Sequence, residues 1–124
     1  MRPVVLRADD PPDDTVVVVR GGEMLSESVR RSAERNNREF GFYGVSVYLA
    51  IDVPLAELCA TVDQIARYGQ VRLSTAGRLR SEGFPLIPTI DHPHFDIVLP
   101  DVAHRTLGRL QECFGPPVLN PGRR

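Results

Sequence analysis

GQVRLSTAGRLRSEGFPLIPTIDHPHFDIVLPD, residues 69–101, is the stretch around which the rest of the chain arranges itself. Runs of strand type stand at its two ends, Val71 to Thr75 and His94 to Leu99. In the first, Val71, Leu73 and Thr75 face one way while Arg72 and Ser74 face the other. In the second, Phe95, Ile97 and Leu99 lie opposite His94, Asp96 and Val98, so His94 and Asp96 share a face. Between the runs, Gly77 and Gly83 bracket Arg78-Leu79-Arg80-Ser81-Glu82. Pro85, Pro88 and Pro93 keep residues 84–93 extended or looped, because each proline disfavours helix in the residue before it. No other segment gathers as many groups able to bind a phosphate or move a proton. Two of the three histidines are here, His92 and His94.

Upstream, Thr15-Val-Val-Val-Val-Arg20 is a continuous β-branched run, which predicts a strand buried on both faces and hence central. It ends at Gly21-Gly22. A helix is expected from about Ser26 to Phe40, with Ser26 as its N-cap, Leu25, Val29, Ala33 and Phe40 near one stripe and Gly41 as its stop. Arg30, Arg31, Arg35 and Arg38 make its outer face positive, which suits RNA or a partner but equally a solvated surface. Tyr43 to Ile51 alternates apolar with small or polar residues, the period of a strand. Asp52-Val53-Pro54 opens a second helix whose Leu55, Leu58, Cys59, Val62, Ile65 and Ala66 follow helical spacing up to Gly69.

Downstream, Asp101 caps a third helix with Val102, Ala103, Thr106, Leu107, Leu110, Cys113 and Phe114 as its apolar stripe. Gly115-Pro116-Pro117 stops it. The order β-α-β-α-β-(β)-β-α predicts an α+β (or α/β) fold: a single domain over residues 15–115, with one mixed sheet of about four to five strands and three helices. Residues 1–14, with Asp9-Asp10-Pro11-Pro12-Asp13-Asp14, form an acidic, proline-rich lead-in, and residues 116–124 are expected to be a flexible tail.

A chain of 124 residues is one domain by size. Hydrophobic content of 42% and charged content of 25% are ordinary for a soluble globular protein. The net charge of -1 excludes nucleic-acid binding by bulk charge but leaves room for a local basic patch. All 15 basic residues are arginine, so every cation carries a planar fork suited to phosphate or carboxylate. The same bias follows from a GC-rich bacterial genome. Cys59 and Cys113 sit in apolar helix patterns and read as small core residues; there is no Cys-x-x-Cys pair. No signal peptide and no apolar run near the roughly 20 residues of a membrane span is present, so the expected compartment is the cytoplasm.

Three constellations carry chemistry. Metal-independent RNA cleavage needs a base for the 2′-hydroxyl, an acid for the leaving oxygen and a cation for the phosphate. His94 and His92 supply the first two, Glu82 is an alternative base, and Arg78 and Arg80 are the phosphate clamp. No cofactor is needed. A metal held by His92 and His94 with Asp91 and Asp96 is the second option, disturbed by Pro93 between the histidines, and no metal is expected. The third is Arg20, Ser46 and Glu82, whose order resembles the Arg…Ser…Glu signature of ADP-ribosyltransferases. That resemblance implies a nicotinamide dinucleotide held by Arg20 and oriented by Ser46, with Glu82 acting on the ribose. The family's serine motif usually continues with a second Ser or Thr, where this chain has Val47-Tyr48.

Small size, an arginine-lined helix and a His/Arg loop resemble the small RNA-cleaving toxins of bacterial toxin–antitoxin pairs. The resemblance is one of architecture and residue type over about residues 15–115, without a shared motif. It implies RNA as substrate and a cognate antitoxin or other protein as partner. A non-catalytic protein-interaction module, docking a partner on the first helix or on an open strand edge, is the alternative.

Overall fold

The computed structural model describes residues 11–20, 26–90 and 92–122, with only the backbone of Arg20 and Ser26. A single α+β domain is built on one six-stranded sheet in the order β4-β5-β2-β1-β3-β6. Strand β1 (Val16–Arg20) is central, as its unbroken β-branched run requires. It is flanked by β2 (Tyr43–Leu49) and β3 (Gln70–Thr75), and Val17 and Val18, which point to opposite faces, are both fully buried. Strand β5 (His94–Leu99) pairs with β2 from Tyr43↔Leu99 to Tyr48↔His94, and β4 (Leu86–Pro88) closes that side.

Helices cover both faces. On the first, α1 (Ser26–Phe40), α4 (Ala76–Ser81) and α5 (His104–Glu112) bury Val29, Ala33, Leu79, Leu107 and Leu110 against Val45, Val47, Phe95 and Ile97. On the second, α2 (Leu55–Thr61) and α3 (Asp63–Ala66) bury Leu58, Cys59 and Ile65 against Val18 and Val71. Both cysteines are free and buried, and burial raises the pKa of each thiol. Among the described residues no helix is long and apolar enough to cross a membrane.

The structure departs from the sequence expectation at four places. Every strand pairing is antiparallel, so the sheet is not mixed, and two short edge strands bring it to six. Pro88 is accommodated because β4 is an edge, where a missing N–H costs no ladder bond. The second helix divides at Val62; the Thr61 hydroxyl donates to the Glu57 carbonyl at 2.9 Å, back-bonding that competes with helix continuation. Residues 76–81, bracketed by Gly77 and Gly83, are helical: Thr75 caps α4 by accepting from the Arg78 N–H at 3.2 Å, and Gly83 ends the turn at φ +82°.

Finally, the chain after Phe114 is not loose as far as Gly122. Val118–Leu119 form β6 on β3, and the buried Asn120 side chain donates to the carbonyls of Ile65 and Tyr68 at 2.9 and 2.8 Å. The part of the acidic lead-in that is described is also docked. Asp13 accepts from Arg80 at 2.9 Å, and its carbonyl accepts from the Gly77 N–H.

Candidate functional site

The segment 69–101 crosses the sheet, and it separates the groups that the sequence places together. Leu79 and Phe84 bury into the first face, which carries α4 and everything on it to that side. There Glu82 faces Arg78 at 3.8 Å and Arg109 at 3.6 Å. Arg109 also donates to the Glu82 carbonyl and lies over the Phe84 ring, 5.1 Å from its centroid. Arg80 is on Asp13, as above. This is a network of α4, α5 and the lead-in, with each cation on a protein acceptor.

His94 and Asp96 point the other way, to the face of Tyr48, as strand alternation demands. Both are buried, 9% and 6% exposed, and fully buried Thr89 lies between them. The Thr89 hydroxyl donates to Asp96 Oδ2 at 2.6 Å and lies 2.9 Å from His94 Nδ1. A hydroxyl has one proton to give, and here it goes to the carboxylate. Thr89 Oγ1 therefore accepts from Nδ1. The Thr89 carbonyl, an acceptor only, also faces Nδ1, at 3.3 Å. Both partners require the proton of neutral His94 on Nδ1, which leaves the Nε2 lone pair as the imidazole's basic position.

Two backbone features hold this relay. Ile90, directly after Thr89, sits in the left-handed region at φ 58°, a conformation that costs a β-branched residue about 1–3 kcal/mol. Gly44 on β2 leaves room for the carboxylate: a Cβ there would stand 3.1 Å from Asp96 Oδ1 and 2.7 Å from the Phe42 ring. The Tyr48 ring meets His94 edge-on, with centroids 5.2 Å apart.

Tyr48 also lines a cleft of about 390 Å³ on its other side. Among the described residues, strands β1 and β2 pair at Val17↔Leu49 and Val18↔Tyr48, and the Ala50 N–H donates to the Val16 carbonyl at 3.0 Å. Beyond Tyr48, β2 stays with β5 and β1 stays with β3, so the sheet parts. Asn36 of α1 donates to the Gly44 carbonyl at 2.7 Å, on the stretch of β2 that has parted from β1. Helices from both faces reach the opening: Ser28, Ser32 and Arg35 from α1, and Gln64 from α3, meet Ser46 and Tyr48 of β2.

Of the residues expected at the site, His94 is thus in a built network, with Asp96 and Thr89. His92 is exposed, on the far side of the cis His92–Pro93 peptide. Arg78, Arg80 and Glu82 stand beyond the sheet from His94, because α4 packs on the opposite face. Ser46 and Glu82 are likewise on opposite faces of the sheet. Arg20 ends β1, and its side chain, like the whole of Asp91, lies outside the described residues. Among those residues no three His, Cys, Asp or Glu gather to hold a metal. Sequence reading missed the cleft. The i, i+4, i+7 spacing of Ser28, Ser32 and Arg35 was a usable signal for one wall, but nothing marked Gln64.

No family model matches this chain, and neither the curated proteins nor the solved structures contain a match.

Proposed function

We propose that the protein is a small toxin-like ribonuclease that cleaves RNA without a metal, with His94 as its proton-transfer group and a protein antitoxin as its natural partner. One observation carries the reading: His94 Nδ1 faces two acceptors, Thr89 Oγ1 at 2.9 Å and the Thr89 carbonyl at 3.3 Å, which keeps Nε2 basic. In the reaction, Nε2 takes the proton of a ribose 2′-hydroxyl as that oxygen attacks the adjacent phosphorus. The bond from phosphorus to the 5′-oxygen breaks, and the imidazolium returns the proton to it. A 2′,3′-cyclic phosphate and a free 5′-hydroxyl result. Asp96, acting through the Thr89 hydroxyl, steadies the imidazolium, the role an acid plays behind a catalytic histidine. The cation that balances phosphate is assigned to Arg35 of α1, a first-face helix that reaches Ser46 and Tyr48 where β1 and β2 part, whereas Arg78 and Arg80 face Glu82 and Asp13.

The test is growth and RNA integrity after induced expression. Wild type should arrest growth and leave cyclic-phosphate ends, and His94→Ala should do neither while remaining folded. Arrest and cleavage undiminished in His94→Ala would remove His94 from the chemistry. A second reading, the non-catalytic binding module, has its own observation: His94 is only 9% exposed. It predicts no arrest and no cleavage by either form.

A further inference from the structure

We propose that the cleft where β1 and β2 part is a binding site for one ribonucleotide unit, with its phosphate toward Arg35 and its base against Tyr48. The proposal deepens the RNA reading and rests on it for the choice of ligand, but it does not require cleavage. Four features argue for it.

The sign of charge comes first. Arg35 lines the cleft and, among the described residues, none of its lining is acidic, so an anion is favoured over a cation. The second is hydrogen-bonding character. Ser28 and Ser32 precede Arg35 along one stripe of α1, and hydroxyls near an arginine fork are a common phosphate environment. Across the opening, Ser46 and Gln64 offer both donors and acceptors, which a ribose with two hydroxyls can use. Third, Tyr48 supplies an aromatic wall, and stacking a base on such a ring contributes about 1–3 kcal/mol with little sequence preference. Fourth, about 390 Å³ falls in the range of small-ligand sites.

Position adds a further argument. Tyr48 is shared: it walls the cleft and its ring meets His94. A nucleotide seated against Tyr48 is therefore one side chain away from the relay. The cleft is also built by elements from both faces of the sheet, α1 from one and α3 from the other.

The experiment follows backbone amide resonances of the full chain during titration with adenosine 5′-monophosphate, and separately with inorganic phosphate. Wild type, Arg35→Ala and Arg105→Ala are compared; Arg105 is an exposed arginine of α5 that does not line the cleft. The nucleotide should shift the amides of Ser28, Ser32, Ser46 and Gln64. Arg35→Ala should weaken its binding about tenfold or more, the size of one charge-assisted hydrogen bond. Arg105→Ala should bind as wild type. Unchanged affinity in Arg35→Ala, or shifts confined to the α4–α5 side, would overturn the proposal. So would equal binding of phosphate and nucleotide, because the site would then read the anion alone. Nucleotide binding at the cleft without RNA cleavage by wild type would uphold the site and remove the ribonuclease.

Discussion

The two polar clusters of this protein each set a nitrogen base near a carboxylate and are built for different ends. On the α4–α5 side, Arg78 and Arg109 face Glu82, and Arg80 is on Asp13. These groups are partly exposed, and such pairs contribute little each. They fasten two helices and the lead-in to the sheet. On the Tyr48 side, His94, Thr89 and Asp96 are buried and joined by short hydrogen bonds, and burial makes each bond's loss expensive. That cluster fixes one proton on one nitrogen. The sheet between them teaches that closeness along the chain, here within residues 78–96, is a poor guide to a shared site when a strand intervenes.

Three changes would break or sharpen this contrast. The largest effect is expected at Thr89. Thr89→Val keeps the shape but removes the hydroxyl, so cleavage should fall about 10²-fold or more, in the range of acid–base contributions. Thr89→Ser should restore most of it. Nitrogen chemical shifts of His94 should show the proton on Nδ1 in wild type and a weaker preference in the valine variant, where only the main-chain carbonyl of residue 89 still faces Nδ1. A proton on Nε2 in wild type would refute the relay independently of any activity.

Glu82→Gln comes next, with its weight on stability. It should leave cleavage within about twofold and reduce stability by no more than about 1 kcal/mol, as for a half-exposed pair. Loss of cleavage in a folded Glu82→Gln protein would mean that the α4 side does take part in the chemistry.

The smallest effect belongs to Asp101. Its carboxyl accepts from the Thr106 hydroxyl and from the Ala103 N–H, ahead of α5, and these bonds hold its pKa below the ordinary value of about 3.9. A depressed carboxylate stabilises the fold above its unfolded pKa, and that contribution is lost as pH falls through the folded value. Unfolding midpoints of wild type and Asp101→Asn should therefore differ most at pH 5 and above and converge below about pH 3.9. A gap that widens in acid would contradict the assignment.

The fold was readable wherever burial writes itself into local pattern. Val16 to Val19 are apolar on both faces because β1 has a neighbour on each side and helices above and below. Tyr43 to Leu49 alternates because Val45, Val47 and Leu49 enter the larger core of the first face, while on the second face only Tyr48 packs against the smaller one. Residues 76–81 were harder, since a glycine and two arginines weaken helix periodicity and the Thr75 cap decides the matter. Residues 118–122 carry no pattern; Asn120 holds them through carbonyls more than 50 residues away in sequence. In the site, the shared face of His94 and Asp96 followed from the period of two. Thr89 did not, because its place depends on how the loop returns to β5. The cleft did not either, because it arises where pairing between β1 and β2 stops, and no residue in either strand announces that point.

The strand order β4-β5-β2-β1-β3-β6 also sets a sequence of events during synthesis. The middle strand leaves the ribosome first. The second strand settles on one side of it and the third on the other, β4 and β5 then extend the first side as a pair, and β6 finishes the second. The sheet thus grows outward from its centre, alternating sides, and only β4 has to wait for a later strand, β5, before it can join. Chains of this kind expose a templating edge until the last residues arrive. For a protein whose proposed activity is harmful to its host, the β2 edge that stays open until β5 arrives would give a partner made at the same time something to hold before His94 has emerged.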